Sequence, residues 1–269
     1  MSSPSRYPRE LHQLIGDSIC LREARNRLGG SIRELRGARD AHYFLKLAPN
    51  QSSKSLHDEF ARLTWLSGKL SVPKVVYFGG DDNSTYLLLS ALPGQPAHQA
   101  EISEIKKTLE TVVLALREIH VTDISHCPFV NTLELELLGA EFAVAEGAID
   151  CEQFISDNSG MSSETTLNYL RSGQGDLVET AFTHGDFCLP NLIIDSAGRY
   201  GIVDWATCGV ADPYRDCSAV DGSIRRNFGD SYIDYFFDAY GIKKSDLNRV
   251  KIDYYKSLDL FFRHRRQSG

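Results

Sequence analysis

The sequence lacks several features that would place it in a familiar class at once. No apolar run approaches the roughly 20 residues that a membrane-spanning helix needs, and the N-terminus lacks the apolar core of a signal peptide. The six cysteines include no C-x-x-C pair, so neither a zinc site nor a thioredoxin-like motif is predicted. No internal repeat is visible. We therefore expect a cytoplasmic protein with reduced cysteines and no membrane contact.

Basic residues are also fewer than acidic residues. Lysine and arginine number 29 against 36 aspartates and glutamates, which gives a formal net charge of -7. This balance argues against a nucleic-acid partner and is compatible with a cationic small-molecule substrate. The 269 residues are enough for two modest lobes, because domains usually contain about 100 to 200 residues.

The most informative polar residues lie in two short segments, 183–191 (THGDFCLPN) and 202–205 (IVDW). Asp186 can orient and deprotonate an acceptor hydroxyl, while Asn191 and Asp204 offer oxygens to the magnesium that a nucleotide carries. The spacing of Asp186 and Asn191 lets one tight loop serve both sides of a transferring phosphoryl group. Turns favour these residue types for other reasons, but their register predicts kinase-type phosphoryl transfer.

A glycine segment, a strand lysine and a helix glutamate indicate how a nucleotide is held. Gly29, Gly30 and Ser31 let backbone amides and a hydroxyl approach a phosphate, although alone they also fit an ordinary turn. Lys46 interrupts an apolar strand, and Glu59 falls on the apolar stripe of the next helix. A carboxylate aimed at a core needs a cation, so Lys46 and Glu59 predict each other as an ion pair that holds the α and β phosphates. The alternative is a glutamate on the helix surface.

The chain changes character near residue 92. Strand-like runs dominate before it, with one helix that a capping box of Ser55 and Asp58 would begin. Helical stripes dominate after it, at 101–120, 134–146, 165–171, 233–240 and 250–261. We therefore predict a nucleotide-binding lobe over residues 1–92 and a catalytic and substrate-binding lobe over residues 93–269.

The break between the lobes contains the turn-rich segment 91–96 (ALPGQP). In a two-lobed nucleotide-binding protein such a segment is a hinge. We expect main-chain groups of Ser90 and Leu92 to face an adenine there.

In this order, the elements resemble the aminoglycoside O-phosphotransferases, particularly the 3′-hydroxyl branch, over almost the full length. The segments that carry the resemblance are HGD with Asn191, VD at 203–204, GVADPYRD at 209–216, YGI at 240–242, LDLFF at 258–262 and CPF at 127–129. The resemblance implies an α+β, protein-kinase-like two-lobed fold, in which a small antiparallel sheet lobe with one helix precedes a larger, mainly helical lobe. It also implies ATP or GTP as phosphoryl donor, Mg²⁺, and a cationic aminoglycoside as acceptor.

The resemblance also assigns roles to single residues. Asp186 would be the catalytic aspartate, and Asn191 and Asp204 would be metal ligands. Lys46 would bind the phosphates, with Glu59 as its ion-pair partner. Asp212 and Asp216 are expected to brace the loop after the metal aspartate rather than to contact substrate. His184 is expected to anchor the loop that presents Asp186.

The acceptor site departs from the pattern of the family. Members that act on the 3′-hydroxyl usually have acidic residues just after the SIR-like segment and a glutamate near the C-terminus, where this chain has Arg226, Asn227 and Leu260. A polycation needs anionic partners, each charge-assisted contact contributing about 1.5 to 3 kcal/mol, so the preferred drug should differ. Streptomycin-type 3″-phosphorylation is therefore open. The candidate substrate residues are Asp157, Asp221, Arg225 and Asp259.

Two other functions stay open at this point. One is a kinase of another small alcohol, such as a peptide or macrolide antibiotic, choline or a sugar. The other is a pseudokinase-like module that binds a nucleotide without turnover. The intact set of catalytic residues argues against the second.

Overall fold

In the computed structural model, the described residues are 7–16, 18–25, 30–37, 41–173 and 180–265. Internal contacts divide the chain into an N-terminal unit, Met1–Pro93 with Gly201–Ala206, and a C-terminal unit, Gly94–Tyr200 with Thr207–Gly269. The sequence prediction placed every residue after 92 in the second lobe. By contacts, residues 201–206 return to the first unit.

The N-terminal unit is built on an antiparallel sheet with the strand order β1-β2-β3-β5-β4. Its strands are β1 (Ile19–Arg25), β2 (Ser31–Arg36), β3 (His42–Pro49), β4 (Val75–Gly80) and β5 (Ser84–Ser90). Aromatic and aliphatic residues dominate β3 and β5, and such residues favour a pleated, half-buried surface. Lys46 of β3 lies opposite Ile32 of β2 and Leu87 of β5, so the lysine occupies the middle of the sheet.

Alternation along β3 sends Leu45 and Lys46 to opposite faces of this sheet. Leu45 is part of a buried cluster with Leu11 and Ile15 of α1 (Arg9–Ile15), a helix that was not predicted. Lys46 faces α2 (Lys54–Leu66), the predicted helix, whose buried residues are Leu56, Glu59, Leu63 and Leu66. The predicted small sheet and its helix are therefore present, with one additional short helix.

The predicted capping box at the start of α2 is wrong. The helix begins at Lys54, after Ser53, and no side chain caps it. Ser55 lies within the first turn, and Asp58 forms ion pairs with Lys54 and Arg62 at (i, i+4) spacing. Asp58 therefore stabilises the helix through its ion pairs with side chains one turn away, and not as part of a cap.

The C-terminal unit is mainly helical. Its helices are α3 (Ile105–His120), α4 (Leu133–Ala145), α5 (Cys151–Asp157), α6 (Ser163–Ser172), α7 (Tyr214–Asn227), α8 (Ile233–Tyr240) and α9 (Arg249–Arg263). Residues of α4, α5, α6 and α9 form one buried cluster, which includes Leu137, Phe154, Leu170 and Phe261. The five predicted helical stripes are confirmed, and α8 ends at Gly241, whose left-handed φ of 103° suits a C-cap.

Short strands fix the ends of the segment that carries the predicted catalytic residue. β7 (Ala181–Thr183) pairs with β10 (Gly209–Ala211), and β6 (Gln95–Pro96) pairs with β8 (Leu192–Ile194). β9 (Tyr200–Ile202) follows β8 along the chain. Because β7 ends at Thr183 and β8 begins at Leu192, the intervening loop is held at both ends.

Within the described part of the chain, no helix combines the length and the hydropathy that a bilayer crossing requires.

Candidate active site

Three charged residues of the N-terminal unit meet at the Lys46 ammonium. Lys46 Nζ donates to both carboxylate oxygens of Glu59 at 2.8 Å, and to Asp204 Oδ1 at 2.8 Å. Glu59 is 2% exposed, whereas the side chain of Asp204 is 53% exposed. The predicted ion pair between Lys46 and Glu59 is therefore confirmed, and Asp204 joins it from a distant part of the sequence.

The electrostatics of this group keep the lysine charged. Burial by itself would lower the pKa of Lys46, but the negative charges of Asp204 and Glu59 raise that pKa above its ordinary value. A buried glutamate beside a permanent cation remains compensated. Lys46 is thus a fixed positive charge of the kind that can bind phosphate oxygens.

The backbone at Asp204 adopts an unusual conformation. Its φ is 70°, one of two positive values among the described residues other than glycine. Trp205 beside it is fully buried and donates from Nε1 to Ile202 O at 2.8 Å, and Ile202 N donates to Ser71 O at 2.9 Å. Left-handed backbone in an ordinary residue persists where its surroundings enforce it, and it concentrates at functional sites.

In the C-terminal unit, Asp186 lies at the tip of a loop that is otherwise buried. Asp186 is exposed, whereas Gly185 and Phe187 on either side are buried. Gly185 has a φ of 85°, and a Cβ built at this position would lie 2.6 Å from Thr207 O. Only glycine fits this turn without strain.

The loop is held by a fully buried carboxylate, Asp216 at the start of α7. Asp216 accepts hydrogen bonds from His184 N and Gly185 N, each at 2.8 Å. Burial by itself would raise the pKa of Asp216, but hydrogen bonds from His120 and from the backbone of His184 leave that pKa below its ordinary value. Asp216 therefore braces a loop, but that loop carries Asp186 and is not the expected one after Asp204.

His184 and Asn191 complete the loop from within. His184 Nδ1 accepts a hydrogen bond from Asp186 N at 3.3 Å, which confirms the predicted anchoring role of this histidine. Asn191 Nδ2 donates to Asp186 O at 3.0 Å. Because its amide nitrogen is turned towards the loop backbone, the side-chain oxygen of Asn191 is the group left for a cation.

A second histidine, which the sequence analysis did not identify, supports this arrangement from α3. His120 Nε2 lies 3.2 Å from Asp216 Oδ2, and His120 Nδ1 lies 2.6 Å from the hydroxyl of Tyr240. The side chain of His120 is 7% exposed and that of Asp216 is fully buried. The sequence offered one indication of this role, the position of His120 at the end of the predicted helical stripe of α3.

A cavity of about 1030 Å³ opens beside Asp186 within the C-terminal unit. Its charged lining residues are Glu136, Asp157, Asp186, Asp253, Asp259, Arg215, Arg226, Lys256 and Arg263. Leu135, Leu260 and Phe262 add an apolar part to the wall. This volume matches the size range of pockets for drug-sized molecules.

The predicted substrate residues divide into two groups. Asp157 and Asp259 line this cavity, and their contact with substrate stays a prediction. Asp221 does not, because it is fully buried and paired with Arg225 at 2.8 Å, Arg249 at 3.1 Å and Lys256 at 2.6 Å. The predictions of Asp221 and Arg225 as substrate contacts are therefore corrected, since neither residue lines the cavity. Asp221 joins α7 to α9, and Arg225 pairs with Asp221 and Asp230.

Sequence reasoning also missed a buried ion pair in the cavity wall. Arg215 Nε donates to Glu136 Oε1 at 2.9 Å, and Arg215 Nη2 donates to Asp259 Oδ1 at 3.1 Å. Burial by itself would lower the pKa of Arg215, but Glu136 and Asp259 raise it. Glu136 is 7% exposed, so the signal was a carboxylate on a buried helix face.

The remaining nucleotide-site predictions are tested only in part by the structure. Gly29 lies outside the described residues, whereas Gly30 and Ser31 are buried at the start of β2. Ser90 N donates to Lys74 O at 2.9 Å, which engages one of its main-chain groups within the sheet. Base recognition by the Ser90 carbonyl and by Leu92 stays a prediction.

No cluster of three or more His, Cys, Asp or Glu side chains suited to a metal occurs in the described ranges. The predicted ligands Asn191 and Asp204 do not require one, because phosphate and water oxygens usually complete a magnesium shell. Amide and carboxylate oxygens are hard donors, which fit this ion.

Comparisons with known proteins agree with this chemistry. A sequence profile described as "Phosphotransferase enzyme family" matches residues 32–252. Aminoglycoside 3'-phosphotransferase of Niallia circulans is 33% identical over 262 residues, which cover 97% of this chain and 99% of that protein.

Solved structures extend the comparison to the fold. A crystal structure of an aminoglycoside-3'-phosphotransferase of type VIII has a TM-score of 0.84 at 28% identity, covering 94% of this chain and 97% of that chain. An aminoglycoside phosphotransferase from Streptomyces rimosus, solved in complex with ADP and streptomycin, has a TM-score of 0.78 at 26% identity, with coverage of 94% and 97%. The α+β, kinase-like fold predicted from the sequence is confirmed.

Proposed function

The chain belongs to the phosphotransferase enzyme family, and we infer that it is an aminoglycoside kinase, which transfers the γ-phosphoryl group of a nucleoside triphosphate to a hydroxyl of an aminoglycoside. Antibiotic resistance follows, because the phosphate adds negative charge to a cationic drug. The observation that carries this function is the exposed Asp186, which a buried carboxylate positions beside a drug-sized cavity.

On the donor side, we assign the triphosphate to Lys46, with Glu59 holding the lysine in place. The ammonium already has two carboxylate partners at 2.8 Å, so its position is set before the nucleotide binds. Ser31 is buried at the start of β2, and we keep it in the proposed phosphate-binding segment. Gly29 and Gly30 belong to the same proposed segment, and Ser90 and Leu92 to the adenine site.

Magnesium suits the side-chain oxygens of Asn191 and of Asp204, and we assign each residue as a magnesium ligand of its own unit. When bound, the ion would neutralise the charge of the triphosphate. The chain itself supplies the lysine that restrains the phosphates and the loop that presents the base.

On the acceptor side, Asp186 aligns the sugar hydroxyl, whose oxygen bonds to the γ-phosphorus as the bond from that phosphorus to the leaving nucleoside diphosphate breaks. Asp186 accepts the hydroxyl proton late in this transfer. Two hydrogen bonds to Asp216 and one to His184 fix the backbone of the loop, so the carboxylate is already oriented. We assign Asp157 and Asp259 to the wall that meets the drug.

We propose the 3′-hydroxyl as the preferred position, in line with the relative from Niallia circulans. A specific observation favours a second candidate, transfer to the 3″-hydroxyl of streptomycin, because the Streptomyces rimosus structure with that drug covers 94% of this chain. Mass spectrometry and NMR of the products from kanamycin and streptomycin distinguish these positions. Product on neither drug would contradict both proposals.

Substitution of the base tests the mechanism. Asp186→Ala should lower kcat by about 10²- to 10⁴-fold, because the hydroxyl loses its base, while nucleotide affinity stays near that of the wild type. Asp253→Ala, which removes another carboxylate from the same cavity lining, serves as the matched control and should retain turnover. Full activity of the Asp186 variant would reject the assigned base.

We also propose a cytoplasmic location, because the reaction consumes a nucleoside triphosphate.

A further inference from the structure

One face of α7 forms a floor for the acceptor cavity. Ser218, Ala219, Gly222 and Arg226 all line it, at the three- to four-residue spacing that places side chains on one side of a helix. The first three residues are small, which leaves room for a ligand. Two long side chains belong to this face, Arg215 at the start of the helix and Arg226 near its C-terminal end.

The Arg226 guanidinium differs from the other cations of the lining. Arg215, Lys256 and Arg263 each pair with at least one carboxylate. In the part of the chain that the structure describes, Arg226 has no ion pair, and its side chain is exposed. It extends back over Gly222, since a Cβ built there would lie 3.2 Å from Arg226 Nη1.

Most carboxylates of the lining already have cationic neighbours. Glu136 and Asp259 share Arg215 at 2.9 and 3.1 Å, and Asp259 also pairs with Arg263 at 2.7 Å. Asp253 lies 3.6 Å from Lys256, and Asp157 Oδ2 lies 3.0 Å from His264 Nε2. An ammonium group that approaches α7 therefore meets an uncompensated cation, while the nearby carboxylates are engaged.

We propose that Arg226 is a specificity-determining residue, which disfavours aminoglycosides with an ammonium group at the α7 end of the cavity and favours acceptors with a hydroxyl or another neutral oxygen group there. Guanidinium hydrogens donate to such oxygens but only repel an ammonium. The proposal deepens the proposed function and rests on it. It concerns discrimination between acceptors and leaves the chemistry of transfer to Asp186.

Matched pairs of drugs test this selection. Kanamycin B carries an amine where kanamycin A has a hydroxyl, and neomycin differs from paromomycin in the same way at another position of the ring. The measured quantity is the ratio of kcat/KM for the amine member to that for the hydroxyl member. Arg226→Glu should raise this ratio by about five- to tenfold in at least one pair, and Arg226→Gln by about two- to threefold.

The change should reside in the KM for the drug, with kcat and the KM for the nucleotide close to the wild-type values. Lys107→Glu is the matched control, because it reverses a charge that is 78% exposed on α3 and outside the cavity lining. It should leave both ratios unchanged.

The possible failures are distinct. If the wild type phosphorylates these drugs but both ratios stay within twofold in Arg226→Glu, the role of Arg226 is overturned. If Lys107→Glu changes the ratios as much as Arg226→Glu does, the change comes from the net charge of the protein, and the role of Arg226 is overturned. If the wild type transfers phosphate to none of the four drugs, the 3′-hydroxyl assignment fails, and the inference about Arg226 fails with it. A product from streptomycin in the same assay would leave the proposed aminoglycoside kinase intact, whereas no product from any of the five drugs would reject that function too.

Discussion

At the scale of single residues, the Lys46 ammonium depends on two carboxylates that differ in their access to water. Glu59 is 2% exposed, so its charge relies on the lysine, whereas the half-exposed Asp204 is also stabilised by solvent. The two carboxylates therefore respond differently to the loss of the cation. Glu59 would be left as a buried charge.

Removal of the cation should be costly. Lys46→Met should lower the free energy of unfolding by about 3 to 5 kcal/mol and abolish turnover, because Glu59 is left uncompensated. Lys46→Met with Glu59→Leu should recover a large part of that stability, since position 59 lies on the buried stripe of α2, but none of the activity. Urea unfolding and a phosphate-transfer assay provide the two measurements.

A surface pair supplies the comparison. Lys54→Met breaks an ion pair whose lysine is 87% exposed and should cost less than about 1 kcal/mol. A double variant no more stable than Lys46→Met would contradict the explanation by buried charge.

How far the sequence predicts the site depends on whether a pattern is local. Glu59 interrupts an otherwise apolar stripe, so its need for Lys46 was visible without a structure. Glu136 also needs a cation, but apolar residues are spread around α4, so its buried face does not stand out in the sequence. Asp221 was misjudged because its cations at positions 249 and 256 come from another helix, and such burial is set by tertiary packing.

At the scale of elements, the catalytic loop is determined by its supports more than by its own residues. The loop has strands at both ends, Asp216 of α7 beneath its backbone, and His120 of α3 behind that carboxylate. Periodicity predicted α2, α3, α4, α6, α8 and α9, but it missed α1, α5 and α7. The link between α3, α7 and the loop was not predictable, because it joins residues almost 100 positions apart.

Substitutions at two glycines with similar φ angles distinguish backbone strain from an effect on catalysis. Gly185→Ala should cost about 1 to 3 kcal/mol of stability and lower kcat at least about tenfold, because the new Cβ would lie 2.6 Å from Thr207 O and displace Asp186. Gly198 has a φ of 79° with open space around it. Gly198→Ala should therefore cost about 1 kcal/mol and leave kcat unchanged.

Thermal or urea unfolding and steady-state kinetics of both variants decide the point. Equal kcat values for the two would mean that the contact with Thr207 does not position the base.

At the scale of the whole molecule, the buried Asp216 links stability to pH. Its pKa is lowered on folding, so its contribution to stability is complete above the unfolded value of about 3.9 and is lost as pH falls through the lowered value. The wild type should therefore lose stability as the pH falls below about 4. Asp216→Asn should be about 1 to 3 kcal/mol less stable at neutral pH and should show a shallower loss in acid.

Guanidinium unfolding at a series of pH values from neutral to acid measures both effects. Asp234→Asn is the comparison, because that carboxylate also has a lowered pKa but is half exposed, and its substitution should change the acid limb less. If the free energy of unfolding of the wild type and of Asp216→Asn fell equally steeply in acid, this carboxylate would be ruled out as a source of the acid sensitivity.

The return of residues 201–206 to the first unit has a consequence for synthesis on the ribosome. The nascent chain can pair β1 to β5 early, but Asp204 and the buried Trp205 emerge more than 100 residues later. Until then Lys46 has only Glu59 as a partner. The unit that begins first is thus completed only after most of the second has been translated, and a gene fragment ending near residue 93 would encode an unfinished core.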